Sequence, residues 1–205
     1  IMIYSYNPKH VGDTLIVVTA DDQGLDQTVE RKFNIAEIKN SKGTVVGYNF
    51  FHLSEYLTIT DEGQIYPTPE QIEVLNQQLH LSGFQEAVLP TNESSKFVVG
   101  YVKTCVEHPD SDHLHVTETE VDNGEVLQIV CGAPNIAAGQ KVVVAKPGAM
   151  MPDGMLIWPG VLRGVESYGM ICSARELHLP NAPEKKGILV LPQEATVGEA
   201  FAVGK

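Results

Sequence analysis

Alternating apolar and polar positions divide this chain into short strands with very little helix. Ile3 to Tyr6 forms an apolar run that ends at Asn7-Pro8, and Thr14 to Thr19 is a β-branched run bounded by Gly12-Asp13 and Asp21-Asp22. Both predict strands, because β-branched side chains suit a pleated surface and the bounding residues favour turns. Thr28 to Ile35 alternates, with Arg31 interrupting its apolar face, and predicts a third strand. Gly43 turns the chain into a fourth, Val45 to Phe51. Leu53 to Leu57 reads as a short helix. Thr68-Pro69-Glu70-Gln71 is a capping-box sequence with proline at the first helical position. It predicts a helix whose face is formed by Ile72, Leu75 and Leu79 and which ends at Gly83. Residues 1–90 therefore read as an α+β domain.

The pattern then changes. Thr91 to Lys96 is polar, follows Pro90 and reads as a linker over residues 91–96. From Phe97 onward the strands are short and the turn signals dense. Val98 to Cys105 predicts a strand that stops where Pro109 removes a backbone donor. Leu114 to Val121 and Val126 to Cys131 flank Asp122-Asn123-Gly124, a hairpin signal, so these two strands should pair antiparallel. Gly132-Ala133-Pro134-Asn135 ends the third strand. Val142 to Ala145 forms a fourth, and Pro147-Gly148, Pro152-Asp153-Gly154 and Pro159-Gly160 break the chain three more times. Such spacing fits a sandwich or, better, a small Greek-key barrel of the OB type. The expected fold is mixed: an N-terminal α+β domain followed by an all-β OB-fold domain over residues 97–205.

Composition narrows the function classes. The 205 residues can supply two small cores. No apolar run approaches the length of a membrane helix, and the start lacks a basic segment followed by an apolar one, so a cytoplasmic protein with no membrane partner is expected. Cys105, Cys131 and Cys172 are widely spaced and odd in number, which argues against a disulfide framework and a zinc knuckle and favours small buried thiols. Net charge is −12 at pH 7, and neither half is basic. Phosphate neutralisation supplies most non-specific affinity for nucleic acids, so any RNA binding must be local and salt-sensitive.

Four strings carry a resemblance: Glu107-His108-Pro109-Asp110-Ser111-Asp112, Ile129-Val130-Cys131-Gly132-Ala133-Pro134-Asn135, Lys146-Pro147-Gly148-Ala149, and Leu162-Arg163-Gly164-Val165-Glu166-Ser167-Tyr168-Gly169-Met170-Ile171-Cys172-Ser173. In this order they resemble the tRNA-binding OB domain inserted near the N-terminus of the bacterial phenylalanyl-tRNA synthetase β subunit and, more distantly, free-standing tRNA-binding OB proteins. The layout as a whole is similar to YtpR-like proteins, in which an uncharacterised domain precedes one such barrel. The resemblance implies binding of tRNA or structured RNA. No nucleophile and base come together in the sequence, so a non-catalytic protein with no cofactor and no DNA partner is expected.

The candidate RNA-binding residues are His108, Asn135, Lys146, Arg163, Ser167 and Met170. His108 lies on the loop through which OB folds commonly touch oligonucleotides, or else packs beside Pro109 in an Asx-type turn of Asp110 and Asp112. Asn135 either reads a base edge or holds its own loop. Arg163 pairs with phosphate, the adjacent glycine allowing close approach, or with Glu166. Lys146 joins Arg163 and Lys103 if a basic stripe exists. Ser167, Gly169 and Met170 match the S-x-G-M signature of the family: Ser167 donating to phosphate and Met170 lying on a base, or Met170 in the core and Gly169 in a bulge. Tyr168 and Trp158 are the available stacking surfaces. Related proteins commonly carry Lys or Arg where this chain has His113 and His115, so affinity through that strand should fade above about pH 7 as imidazole loses its charge.

Two other classes remain open: a protein-interaction module of the translation machinery that has traded RNA for a protein partner, and a metal-dependent enzyme built on His108, Asp112, His113 and His115, two of them placed on one strand face.

Overall fold

In the computed structural model, which describes residues 2–91 and 95–204, the chain divides into two compact units at Ser94/Ser95. Half of the predicted linker, residues 92–94, lies outside the described residues.

The N-terminal unit is a six-stranded antiparallel sheet: β1 (Ile3–Tyr6), β2 (Thr14–Val18), β3 (Gln27–Lys32), β4 (Ile35–Asn40), β5 (Val45–Phe51) and β6 (Gly63–Ile65), in the order β3-β4-β5-β2-β1-β6. A single helical turn, α1 (Pro8–Val11), joins β1 to β2, and a 3-10 turn at Leu53–Glu55 stands where a short helix was expected. The longest helix among the described residues, α2 (Pro69–Leu81), has the predicted capping box: the Thr68 hydroxyl accepts from the Gln71 amide while the Gln71 side chain accepts from the Thr68 amide. Its buried face, Ile72, Leu75 and Leu79, packs with Tyr4, Tyr6, Leu15, Val17 and Phe50 of the sheet in one apolar cluster. The expected third strand is two strands. Phe33 adopts a left-handed conformation and reverses the chain between β3 and β4, a turn that no glycine or asparagine-glycine pair announces. β3 is an exposed edge strand, so Arg31 interrupts no core; its guanidinium lies over the Phe51 ring at 4.3 Å.

The second unit is a mostly closed Greek-key barrel. β7 (Phe97–Glu107) is long enough to serve two partners: Phe97 to Tyr101 pair with β10 (Lys141–Ala145), and Tyr101 to Glu107 pair with β8 (His115–Glu120), with an irregularity between Val102 and Thr104. β8 pairs with β9 (Val126–Cys131) across the predicted Asp122–Gly124 hairpin. A projecting hairpin, β11 (Gly160–Leu162) and β12 (Val165–Ser167), leads into β13 (Met170–Ile171), which pairs with β10, as does β14 (Val190–Leu191). The gap between β9 and β13 is bridged by bonds from the Tyr168 amide to Gln128 O (2.8 Å) and from the Val130 amide to the Ser167 hydroxyl (3.0 Å). Val98, Val102, Ile129, Val142 and Val144 pack inside the barrel. On the outer face of the same strands Phe97, Val143 and Ala145 are covered by Met151, Ile157 and Leu177, which is why Val142-Val143-Val144-Ala145 is apolar without alternation.

Cys131 and Cys172 are buried and Cys105 is partly so. Burial raises all three thiols, Cys172 to about 12. Among the described residues no helix is long and apolar enough to cross a membrane.

Candidate nucleic-acid interface

The loop between β7 and β8 is built around His108. Its ring is almost wholly buried, and its Nδ1 accepts from the Asp110 amide at 2.9 Å. The proton is thereby assigned to Nε2, which donates to Leu162 O at 2.9 Å in the β11–β12 hairpin. Both nitrogens are spent on backbone, so His108 is a peg that joins this loop to the hairpin and offers nothing to a ligand. Ser111 completes the loop by accepting from the amides of His113 and Leu114.

The peg positions Arg163. This residue sits at the exposed hairpin tip in a left-handed conformation, and its guanidinium donates to Asp110 O at 3.3 Å. Among the described residues no carboxylate lies within ion-pair distance of it; the Glu166 carboxylate instead accepts from the Tyr168 hydroxyl at 2.7 Å. Val161 and Leu162 beside it are exposed.

His113 and His115 do not share a strand face. His113 lies in the turn, where its Nδ1 is 3.3 Å from Asp112. His115 opens β8, with its Nδ1 buried and no hydrogen-bond partner among the described residues. The loop turns before the strand begins, so alternation does not apply across them. Among the described residues no group of three His, Cys, Asp or Glu is placed to hold a metal ion, and the cluster proposed from the sequence does not converge.

Lys146 lies at the other end of the barrel. β8 runs from the His108 loop toward the Asp122 hairpin, and the Lys146 ammonium donates to both Asp122 oxygens at 2.8 and 3.0 Å, with 13% and 16% of the two side chains exposed. The expected basic stripe of Arg163, Lys146 and Lys103 does not form through this residue. Ser167 is buried too: its hydroxyl accepts from the Val130 amide and donates to Gly169 O at 3.4 Å. Gly169 has φ +123°, and a Cβ there would stand 2.8 Å from Ala145 O. The glycine serves barrel closure.

Asn135 divides its amide between two backbone groups. Its Nδ2 donates to Ile188 O at 3.0 Å and its Oδ1 accepts from the Ile188 amide at 2.9 Å. Of the two readings of Asn135, this is the one in which it holds a loop, and the loop it holds is 53 residues away. Gln140 in turn donates to Asn135 O and accepts from the Ala137 amide. Strand β13, which ends at Ile171, is followed by a turn closed by a small capping box, in which the Glu176 amide donates to Ser173 Oγ and the Ser173 amide to the Glu176 carboxylate.

Between the Asn135 loop, this turn and residues 183–190 lies an open cleft of about 500 Å³. Arg175, Lys185 and Lys186 line it against one acid, Glu184. A smaller recess of about 230 Å³ shares Ser173, Gly187 and Ile188 with the cleft and has Met170, partly buried, in its wall. The pair Lys185-Lys186 is visible in the sequence. Arg175 was missed; the Ser173-x-x-Glu176 capping signature was the available sign that a fixed turn would hold it.

Of the described lysines and arginines of this unit other than Lys96, Lys146 is ion-paired and Lys141 donates to Gln193 O and Ala195 O. Lys103, Arg163, Arg175, Lys185 and Lys186 have no carboxylate of the described residues within ion-pair distance.

Residues 97–200 match the family described as "Putative tRNA binding domain", and residues 22–89 match a domain of unknown function. The chain is 45% identical to the "Putative tRNA-binding protein YtpR" of Bacillus subtilis (strain 168), over 96% of this chain and 97% of that protein. It is 48% identical to the phenylalanine–tRNA ligase beta subunit of Oceanobacillus iheyensis and 42% identical to that of Bacteroides fragilis (strain ATCC 25285), over 63% and 75% of this chain but only 16% and 18% of those proteins.

Proposed function

The chain belongs to the family of YtpR-like proteins with a tRNA-binding domain, and from that premise we propose that it is a non-catalytic RNA-binding protein of the cytoplasm whose barrel takes up tRNA or structured RNA. The observation that carries this reading is the distribution of charge. In a chain of net charge −12, Lys103, Arg163, Arg175, Lys185 and Lys186 of the barrel have no carboxylate of the described residues within ion-pair distance, although carboxylates are abundant. Field at the binding surface, not net charge, governs encounter with a polyanion. Binding rests on backbone phosphates and a few unstacked bases, with no sequence code.

Titration of the full-length protein with deacylated tRNA at low and at physiological salt tests the reading. Saturable binding that weakens with salt and is reduced in Arg163→Ala supports it; a folded protein that binds no tRNA even at low salt sinks it. In that event the exposed Val161 and Leu162 favour the second reading, a barrel that docks a protein partner, and a pull-down identifies it.

A further inference from the structure

We infer that the cleft between Asn135 and residues 183–190 is a binding site for single-stranded RNA, in which a nucleotide lies along the apolar wall with its phosphates on Arg175, Lys185 and Lys186. The inference rests on the RNA-binding reading above and names the part of the RNA that the barrel takes.

Size is the first argument. A volume of about 500 Å³ falls within the range that encloses small organic ligands, enough for a base with its sugar and phosphate. A duplex presents its backbone as a broad ridge with its bases stacked inside, and such a ridge does not enter a cleft of this volume. A single strand can splay one base into it.

Chemistry is the second. Pro134, Pro183 and Leu189 give the cleft apolar walls against which a base of any identity can lie. Three cations face one acid there, the reverse of the balance in the whole chain. Arg175 offers a fork that can bind phosphate through two parallel bonds; the two lysines are point charges on flexible stems.

Rigidity is the third. The lysine-bearing loop is pinned at Ile188 by both halves of the Asn135 amide, and the Arg175 turn is fixed by Ser173 and Glu176. Gly187 fits because a Cβ there would come within 3.0 Å of the Asn135 oxygen. The walls are thus set before a ligand arrives, which lowers the ordering cost of binding. Since the Asn135 amide is occupied by backbone, the site recognises phosphate and a flat apolar face without reading a particular base.

The test compares a fluorescent oligouridylate of about six nucleotides with an RNA hairpin of equal charge, using the full-length wild type and the variant Arg175→Ala/Lys185→Ala/Lys186→Ala. All three side chains belong to exposed residues, so the variant should fold, and circular dichroism checks that it does. Wild type should prefer the single strand. The variant should lose at least about tenfold in affinity for it at low salt, and its slope of log affinity against log salt should become shallower by roughly 2, about 0.7 for each contact removed. Bound oligonucleotide should also protect Lys185 and Lys186, but not Lys103, from acetylation. Equal affinity of wild type and variant for the oligonucleotide, or no binding of it by the folded wild type, overturns the inference. The tRNA titration decides the broader reading separately: tRNA bound without the cleft leaves that reading standing, and oligonucleotide bound in the cleft without tRNA removes tRNA alone.

Discussion

In the N-terminal unit a single apolar cluster rich in aromatic side chains joins helix α2 to the sheet. In the barrel the apolar side chains divide into a cluster inside and a cluster outside. The loops that connect its strands are held largely by individual polar side chains bonded to backbone: His108 to Leu162, Asn135 to Ile188, Ser167 to Val130. The difference teaches where each unit is vulnerable. A cluster fails by losing volume; a polar peg fails by leaving its partner unsatisfied. It also shows why the candidate interface lies on the barrel, where exposed loops keep a fixed shape without a core beneath them.

The largest effect is expected from Leu75→Ala, which opens a cavity under a helix whose leucine is fully buried. Urea unfolding should show the N-terminal unit less stable by about 3 to 4 kcal/mol, with the affinity of the barrel for RNA unchanged. Lys146→Met tests the barrel by the opposite means. It takes the ammonium away from the Asp122 carboxylate at a mostly buried site, at about 3 kcal/mol, and the double variant with Asp122→Asn should recover part of the loss. If Lys146→Met instead keeps full stability and lowers RNA affinity, the residue is a phosphate contact and the ion pair is incidental. Ser167→Ala strands the buried Val130 amide and should cost about 2 kcal/mol, read as a lower thermal midpoint of the barrel with RNA affinity preserved below it.

The smallest effect concerns pH. The Ser54 hydroxyl, followed by that of Tyr6, donates to Asp13 and holds its carboxyl below the usual range. A depressed carboxyl contributes stability above its unfolded value, about 3.9, and that contribution disappears as pH falls through the folded value. Asp13→Asn should therefore flatten the acid limb of N-terminal unfolding, measured by urea midpoints on either side of that pH, and leave the limb of the barrel as it was.

The strands that alternate or run continuously apolar were legible in the sequence, as was the capping box of α2, because each is a local pattern. The β3–β4 turn was not: Phe33 is not a residue that ordinarily marks a left-handed position, and alternation continues across it unbroken. The barrel was legible from its strand spacing, but the pieces that close it were not, because β12 and β13 are two or three residues long and Ser167 joins β9 through a side-chain oxygen. For the candidate site, the motifs picked out residues whose side chains the fold uses largely to hold loops together. His108, Asn135 and Ser167 are the chemically capable residues, yet in the folded chain their polar atoms are bonded to backbone. Residues that carry free charge, Arg175 among them, lie next to the motifs.

The same burial that makes the three cysteines poor candidates for chemistry gives the molecule a practical property. With every native thiol raised above its ordinary range, the thiolate fraction at neutral pH is very small and reaction with maleimides is slow. A thiol introduced by Lys186→Cys, on the exposed rim of the cleft, would outpace all three. A single environment-sensitive dye can thus be set at the cleft of the otherwise natural chain, where its emission reports occupancy directly.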